Sequence, residues 1–332
     1  MAWNLTSGAA RVASATRMRR RWSPPATPMG PGDVFDRAAA RAAASLSAAD
    51  RKALDAAFAE IGADAPVLRR ALATGAHVRA VASLAAAWAT FDDRERAFVR
   101  DPLGRRTPGP VRILDVPAVQ VDQTTCGAAS LGMMLMMGDP FVAAWVATGR
   151  HIGDYVPLEP YMAEALSREV RTVEERWRSL QHELHREVRR WALAVAPWPR
   201  RFGTPPWRLD DAVRFAGVRF RTRLIDDRSR DDLAAFFAHA SVALVDGIPV
   251  LLYVGGDIRG GLAAAIPRHV VLVVERLPGG VLVYEPGAGA LFEVADEQMR
   301  AGGPDPVPGL GWWSRLTCVV LPAARRGVSL TA

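Results

Sequence analysis

The chain has 332 residues, half of them hydrophobic, and a formal net charge of +7. That is enough apolar material for a sizeable core, and with only two cysteines, Cys126 and Cys318, it has no disulfide framework. Nearly all the positive charge is arginine, Lys52 being the single lysine, and it is spread along the chain rather than gathered with aromatic residues, which argues against a nucleic-acid partner.

No run approaches the roughly 18 unbroken apolar residues of a membrane span. The basic cluster "RMRRRW" near the N-terminus is followed by "SPPATPMGPG" rather than an apolar stretch, which argues against a secretory signal. The expectation is a cytoplasmic protein.

Residues 1–32 are rich in Arg, Ser, Pro and Gly and read as a disordered basic arm. Residues 33–100 read as a small helical bundle. Ser47 and Asp50 form a capping box and Gly62 suits the position after the helix end. Asp64 and Pro66 start the next helix, which Gly75 ends. Val78, Val81, Leu84 and Trp88 make one apolar face of a third helix. His77 is expected at a helix start or on the surface, since no second ligand-type residue lies at metal spacing. Residues 101–110, "DPLGRRTPGP", form a linker.

From residue 111 the pattern changes, and 111–322 reads as a second domain with a tail at 323–332. "VRILDVPAVQ" is a strand-like entry. A helix is expected from Cys126 to Gly138, another near 159–168, and a longer one over 172–195, the last inside a helical insertion at about 172–200. Its apolar face carries Trp177, Leu180, Leu184, Val188 and Trp191. The "HELH" run, with His182 and His185, reads as a solvated face. A zinc-protease motif needs its histidines at i and i+4, not i and i+3. A short helix is expected over 208–217. Six strand-like runs follow ("VRFRTRLI", "IPVLLYVG", "HVVLVVER", "VLVYEP", "ALFEVA", "RLTCVVL") and imply an antiparallel meander. "GGDIRGG" at 255–261 lacks the Lys-Ser/Thr ending of a phosphate loop and reads as a strand-to-strand loop. Helices first and strands later give an α+β class.

The candidate chemistry centres on "QVDQTTCGAASLGMML", residues 120–135. Cys126 stands where a polar segment hands over to an apolar helix, and a helix N-terminus favours a thiolate. Cys318 lies inside a strand and reads as inert core. Of six histidines only His269 opens an apolar strand after a turn, which suits a rigidly held base. The next strand ends in Glu285-Pro286, and a hairpin brings that end back beside His269. Gln120 and Gln123 both lie upstream of Cys126, and either side-chain amide suits an oxyanion.

Gln120 six residues before Cys126, Gly127 after it, His269 opening "HVVLVVER" and an acidic-Pro pair sixteen residues on resemble the bacteriocin-processing, double-glycine-leader peptidases and their stand-alone relatives. These belong to the papain-like clan. The resemblance covers about 111–321. It implies a papain-like fold and a cysteine peptidase acting on a peptide or protein, with Cys126 as nucleophile, His269 as base, Glu285 as orienter and Gln120 as oxyanion donor. It implies no metal or organic cofactor. Two other readings keep the same residues: an acyl or peptidyl transferase, and a non-catalytic peptide-binding relative. Three features depart from the family pattern. Glu285 stands where aspartate is usual, Thr125 precedes the cysteine where aspartate is common, and the stretch between Cys126 and His269 is long.

Overall fold

The computed structural model describes residues 22, 25, 31–104, 106–155, 172–190, 192, 197–256, 269–301 and 305–323. The first helices form as their capping residues dictate. Helix α1 (Val34–Ala44) starts at Asp33, which forms a reciprocal capping box with Asp36. Helix α2 (Ala48–Ile61) starts at Ser47, whose hydroxyl accepts from the Asp50 N–H, and ends at Gly62. Helix α3 (Ala65–Ala73) has Pro66 in its first turn. Helix α4 (Val78–Trp88) is capped by His77 itself, through Nδ1 accepting from the Ala80 N–H. Helix α5 (Asp93–Arg100) begins with a second capping box, Asp92 with Glu95.

Three two-residue strands follow: β1 (Gly109–Pro110), β2 (Arg112–Ile113) and β3 (Val116–Pro117). Then come helix α6 (Cys126–Gly138) and helix α7 (Pro140–Thr148). Pro140 starts the second of these helices. It occupies the first turn, where its missing N–H costs nothing, and Asp139 caps the Phe141 N–H. The two helices meet at 111°. Among the described residues no single helix is long and apolar enough to cross a membrane.

Helix α8 (Val173–Arg189) stops short of residue 195, since the backbone turns extended at Arg190 and the Trp198 N–H takes the Arg189 carbonyl. The helix expected near 159–168 lies outside the described residues. Helix α9 (Pro206–Ala212), strand β4 (Phe220–Leu224), helix α10 (Arg230–Val245) and strand β5 (Val250–Gly255) come next. Helix α10 was absent from the sequence reading. Its start signal is nonetheless present, the Ser229 side chain accepting from the Asp232 N–H. The chain closes with β6 (His269–Leu277), β7 (Gly280–Glu285), β8 (Ala290–Ala295), α11 (Asp296–Ala301) and β9 (Arg315–Pro322).

The class is α+β, with a seven-stranded antiparallel sheet in the order β1-β8-β7-β6-β5-β9-β4. Strands β5 to β8 form the expected meander. Strand β9 departs from it by crossing to the far side of β5, where it pairs Leu252 with Val319. Every residue of β5 and β7 is buried, so both faces of the sheet centre are covered. Helices α6 and α10 both pack on β6.

The bundle shares one continuous core with this sheet and its helices. Arg70 of α3 is buried and donates to the Val99 and Met137 carbonyls, at the ends of α5 and α6. The Phe35 and Phe215 rings meet tilted, with centroids 4.9 Å apart, and Arg37 pairs with Asp246. From the N-terminal arm, the half-buried Trp22 ring lies 5.0 Å from His239.

Candidate functional site

The turn before α6 folds on its own side chains. The Asp122 carboxylate accepts from the Thr124 N–H at 2.7 Å and the Thr124 hydroxyl at 2.6 Å. Thr125 turns its hydroxyl back to the Asp122 carbonyl and caps no N–H of the helix. The first turn of α6, with Cys126 at its head, is therefore left without a side-chain cap. Burial opposes ionisation of Asp122, but Thr124 and Arg200, the latter 2.5 Å away, outweigh it and hold the carboxyl down at about 2.

His269 opens β6 opposite Val254 of β5. The hairpin register, Leu272 opposite Tyr284, returns the end of β7 to the start of β6. His269 Nε2 and Glu285 Oε1 are 2.6 Å apart. The same Oε1 accepts the Gly287 N–H at 2.8 Å, and Oε2 accepts the Ala288 N–H at 2.6 Å. Glu285 thus curls over its own turn, and the extra methylene relative to aspartate is taken up in that curl. Cys126 is near enough to the same ring to favour its charged form. With Nε2 engaged by Glu285, Nδ1 is the nitrogen left for the sulfur.

The electrostatics of the pair are mutual. Burial works against a charged His269, yet Cys126 and Glu285 outweigh it and hold the ring up at about 9. Burial likewise works against an ionised Glu285, and His269 with the two turn N–H groups outweighs it, lowering the carboxyl. Cys126 is 3% exposed and His269 9%, so the group is closed over.

The structure therefore brings Cys126, His269 and Glu285 together from three separate elements. Gln120 is tied to the same corner. Its N–H donates to the Pro286 carbonyl at 2.8 Å, and its side-chain Nε2 donates to the Asp122 carbonyl at 2.8 Å. Gln120 Oε1 is buried with no partner. Gln123 is exposed. Cys318 lies mid-strand in β9, and burial pushes its thiol up to about 12. Among the described residues no group of three or more His, Cys, Asp or Glu side chains is arranged to hold a metal. Of the "GGDIRGG" loop, residues 257–261 lie outside the described residues.

No family model and no curated protein matches this chain.

Several residues that shape the site were not singled out from sequence. Ser130, one turn after Cys126, donates to the Val270 carbonyl at 3.0 Å and fixes α6 against the strand that carries His269. Gly311 packs against the His269 ring. Thr204 packs on Gly127, where a methyl group would stand 2.4 Å from its hydroxyl. Gln181 of α8 grips the chain on both sides of Gln120, donating to the Val119 carbonyl and accepting from the Val121 N–H. The "HELH" reading as a solvated face holds for His182, which is exposed, and is corrected for Glu183 and His185. Glu183 is 2% and His185 4% exposed, because α8 lies against α6 and the Cys126 turn rather than outside them. The signal was the glycine at 132, whose missing side chain admits the Trp177 ring.

Proposed function

We propose that the chain is a cysteine peptidase-like hydrolase of papain-like type. The observation that carries this reading is the convergence of Cys126, His269 and Glu285, with Nε2 of His269 held by Glu285 at 2.6 Å and Cys126 near enough to favour the charged ring. The order Gln120, Cys126, His269, Glu285 supports it by its resemblance to the bacteriocin-processing peptidases. In this reading the sulfur of Cys126 attacks a peptide carbonyl. The oxyanion is met by the uncapped helix N-terminus and by the second hydrogen of the Gln120 amide. His269 passes its proton to the leaving amine as the C–N bond breaks, leaving a thioester. Water, deprotonated by the same ring, then releases the acid and restores the thiol. Glu285 keeps the ring oriented throughout.

The burial of Cys126 favours one second reading, acyl transfer to an amine that displaces water from the closed site. Incubating the protein with peptide esters, with and without an added amine, and weighing both protein and products separates the two. Hydrolysis gives the free acid, transfer gives the amide, and both pass through an adduct on Cys126. Absence of an adduct with every peptide, on a protein whose Cys126 alkylates normally, argues for the peptide-binding relative.

A further inference from the structure

His185 is buried, with 4% of its surface exposed, and neither ring nitrogen has a hydrogen-bond partner. Buried polar groups in native proteins are nearly always paired, and leaving one unpaired costs about 1–3 kcal/mol. An imidazole buried with both nitrogens unpartnered is thus a group that a bound ligand can satisfy. Its surroundings state the sign of that partner. The charged and titratable groups acting on the ring are Arg189 and His182 from α8, Arg200 from the segment after it, and Asp122 from the Cys126 turn. Asp122 is already spent on Thr124 and Arg200. Arg189 is anchored through Nε to the Trp198 carbonyl at 2.7 Å and has no carboxylate partner among the described residues. Two arginines and a second histidine therefore act on this imidazole, and the one acid among its neighbours is already paired.

The place is part of the candidate site. Gln181, one turn before His185 on α8, holds the chain on either side of Gln120, and Asp122 accepts from the turn that leads into Cys126. Thr204, whose hydroxyl is also buried without a partner, packs on Gly127. Trp198 adds a donor of the same kind, its buried Nε1 being unpartnered.

We propose that His185 and Arg189, backed by Arg200, form a subsite for a carboxylate of the bound peptide, on the Gln120 side of Cys126. It rests on the peptidase reading only in calling that peptide a substrate. The carboxylate fills both needs at once: it accepts from a protonated His185, which has two donors, and from the free end of Arg189. Without it the ring stays neutral, because burial first and Arg189 next push it down to about 4.

The test is a binding measurement on the full chain, read at the His185 ring nitrogens by NMR. Three tetrapeptides serve as probes: one blocked at both ends with an internal glutamate, the same peptide with glutamine in its place, and an all-alanine peptide blocked only at its N-terminus, with a free C-terminal carboxylate. The glutamate peptide is expected to move the His185 signals and raise its titration midpoint, while the glutamine peptide leaves them unmoved. A response to the free-carboxylate peptide instead assigns the subsite to a chain end. Arg189→Gln is expected to weaken the binding by about tenfold or more, the scale of one charge-assisted hydrogen bond. His185→Gln should abolish it, with melting checked to show the variant is folded. Equal, non-zero responses to the glutamate and glutamine peptides, or no response to any of the three, overturns the proposal. Labelling of Cys126 by a peptide electrophile is scored separately. Carboxylate binding without labelling leaves the subsite standing and removes the peptidase reading, and labelling without carboxylate discrimination does the reverse.

Discussion

Gly311 lies edge-on against the imidazole of His269: a methyl group placed on it would stand 2.4 Å from Cδ2 and 2.6 Å from Nε2. Its φ of 63° is left-handed as well, so two independent reasons require glycine there. Gly311→Ala is expected to push the ring off Glu285. The rate of Cys126 alkylation should fall at least about tenfold, with a loss of stability of about 1–2 kcal/mol from backbone strain alone. Iodoacetamide kinetics and thermal melting check both. Unchanged kinetics would show that the ring position does not govern the thiol.

Glu285 serves two masters, the ring and its own turn. Glu285→Gln is expected to keep only one of the two turn contacts, since its single amide oxygen accepts and its NH2 group does not, and to stop favouring a charged ring. Glu285→Asp withdraws the carboxylate by one methylene, so it keeps the turn or the ring but not both. About a tenfold loss of turnover is expected for aspartate and more for glutamine. Peptide-ester turnover measures this. If both variants match the parent, the ring needs no holder.

The same pair predicts a pH dependence of stability. His269 has its folded value raised, to about 9 from an ordinary value of about 6.5. Its contribution is therefore complete below about 6.5 and is lost as pH rises through about 9. Glu285, with a lowered value, contributes above the ordinary carboxylate range and loses that contribution as pH falls through its folded value. The melting temperature should drop between about pH 7 and pH 9.5, and the drop should be shallower in Glu285→Gln. Parallel curves for the two proteins would remove the coupling.

Cys126 and Cys318 should differ in labelling. Cys318 is locked in mid-sheet with its thiol raised to about 12, while Cys126 heads an uncapped helix beside His269. A small reagent near neutral pH should modify Cys126 alone. Because Cys126 is 3% exposed, bulky reagents should react more slowly than small ones. Peptide mass mapping decides, and preferential modification of Cys318 would reverse the assignment.

Gln120→Ala removes the amide beside the helix head and should slow acylation by about a hundred- to a thousand-fold, the usual loss of one oxyanion donor. Gln123→Ala should have little effect, its side chain being exposed. Rates of adduct formation with a peptide electrophile compare them. A larger effect at Gln123 would exchange their roles.

What could be read from sequence was what depends on neighbours in the chain. Cys126 at a helix mouth, His269 at a strand mouth and Glu285 at the returning end of a hairpin follow from local pattern and the arithmetic of antiparallel pairing. Helix α10 escaped because its apolar residues lie all round, with no face for periodicity to find, and only the Ser229 cap marked it. Gly311 and Ser130 were invisible for another reason. Each acts on the segment around His269 from a distant part of the chain, and nothing in its own neighbourhood records that contact. His185 was misread because a charged-looking helix face is normally solvated, and here the Cys126 turn and the Arg200 segment bring their own charges to it.

Arg70 has a consequence for how the chain can be divided. Its guanidinium, buried in the bundle, donates to the Met137 carbonyl in the last turn of the helix that begins with Cys126. A cation at that end complements the negative pole of the helix whose positive pole faces the thiol. The bundle is therefore the far electrode of the nucleophile's own helix, and the seam at 101–110 joins two halves of one cooperative structure. A cut made there should leave fragments that stay associated and co-purify, and expressing either half alone should yield a chain that recovers its fold only when the other is supplied.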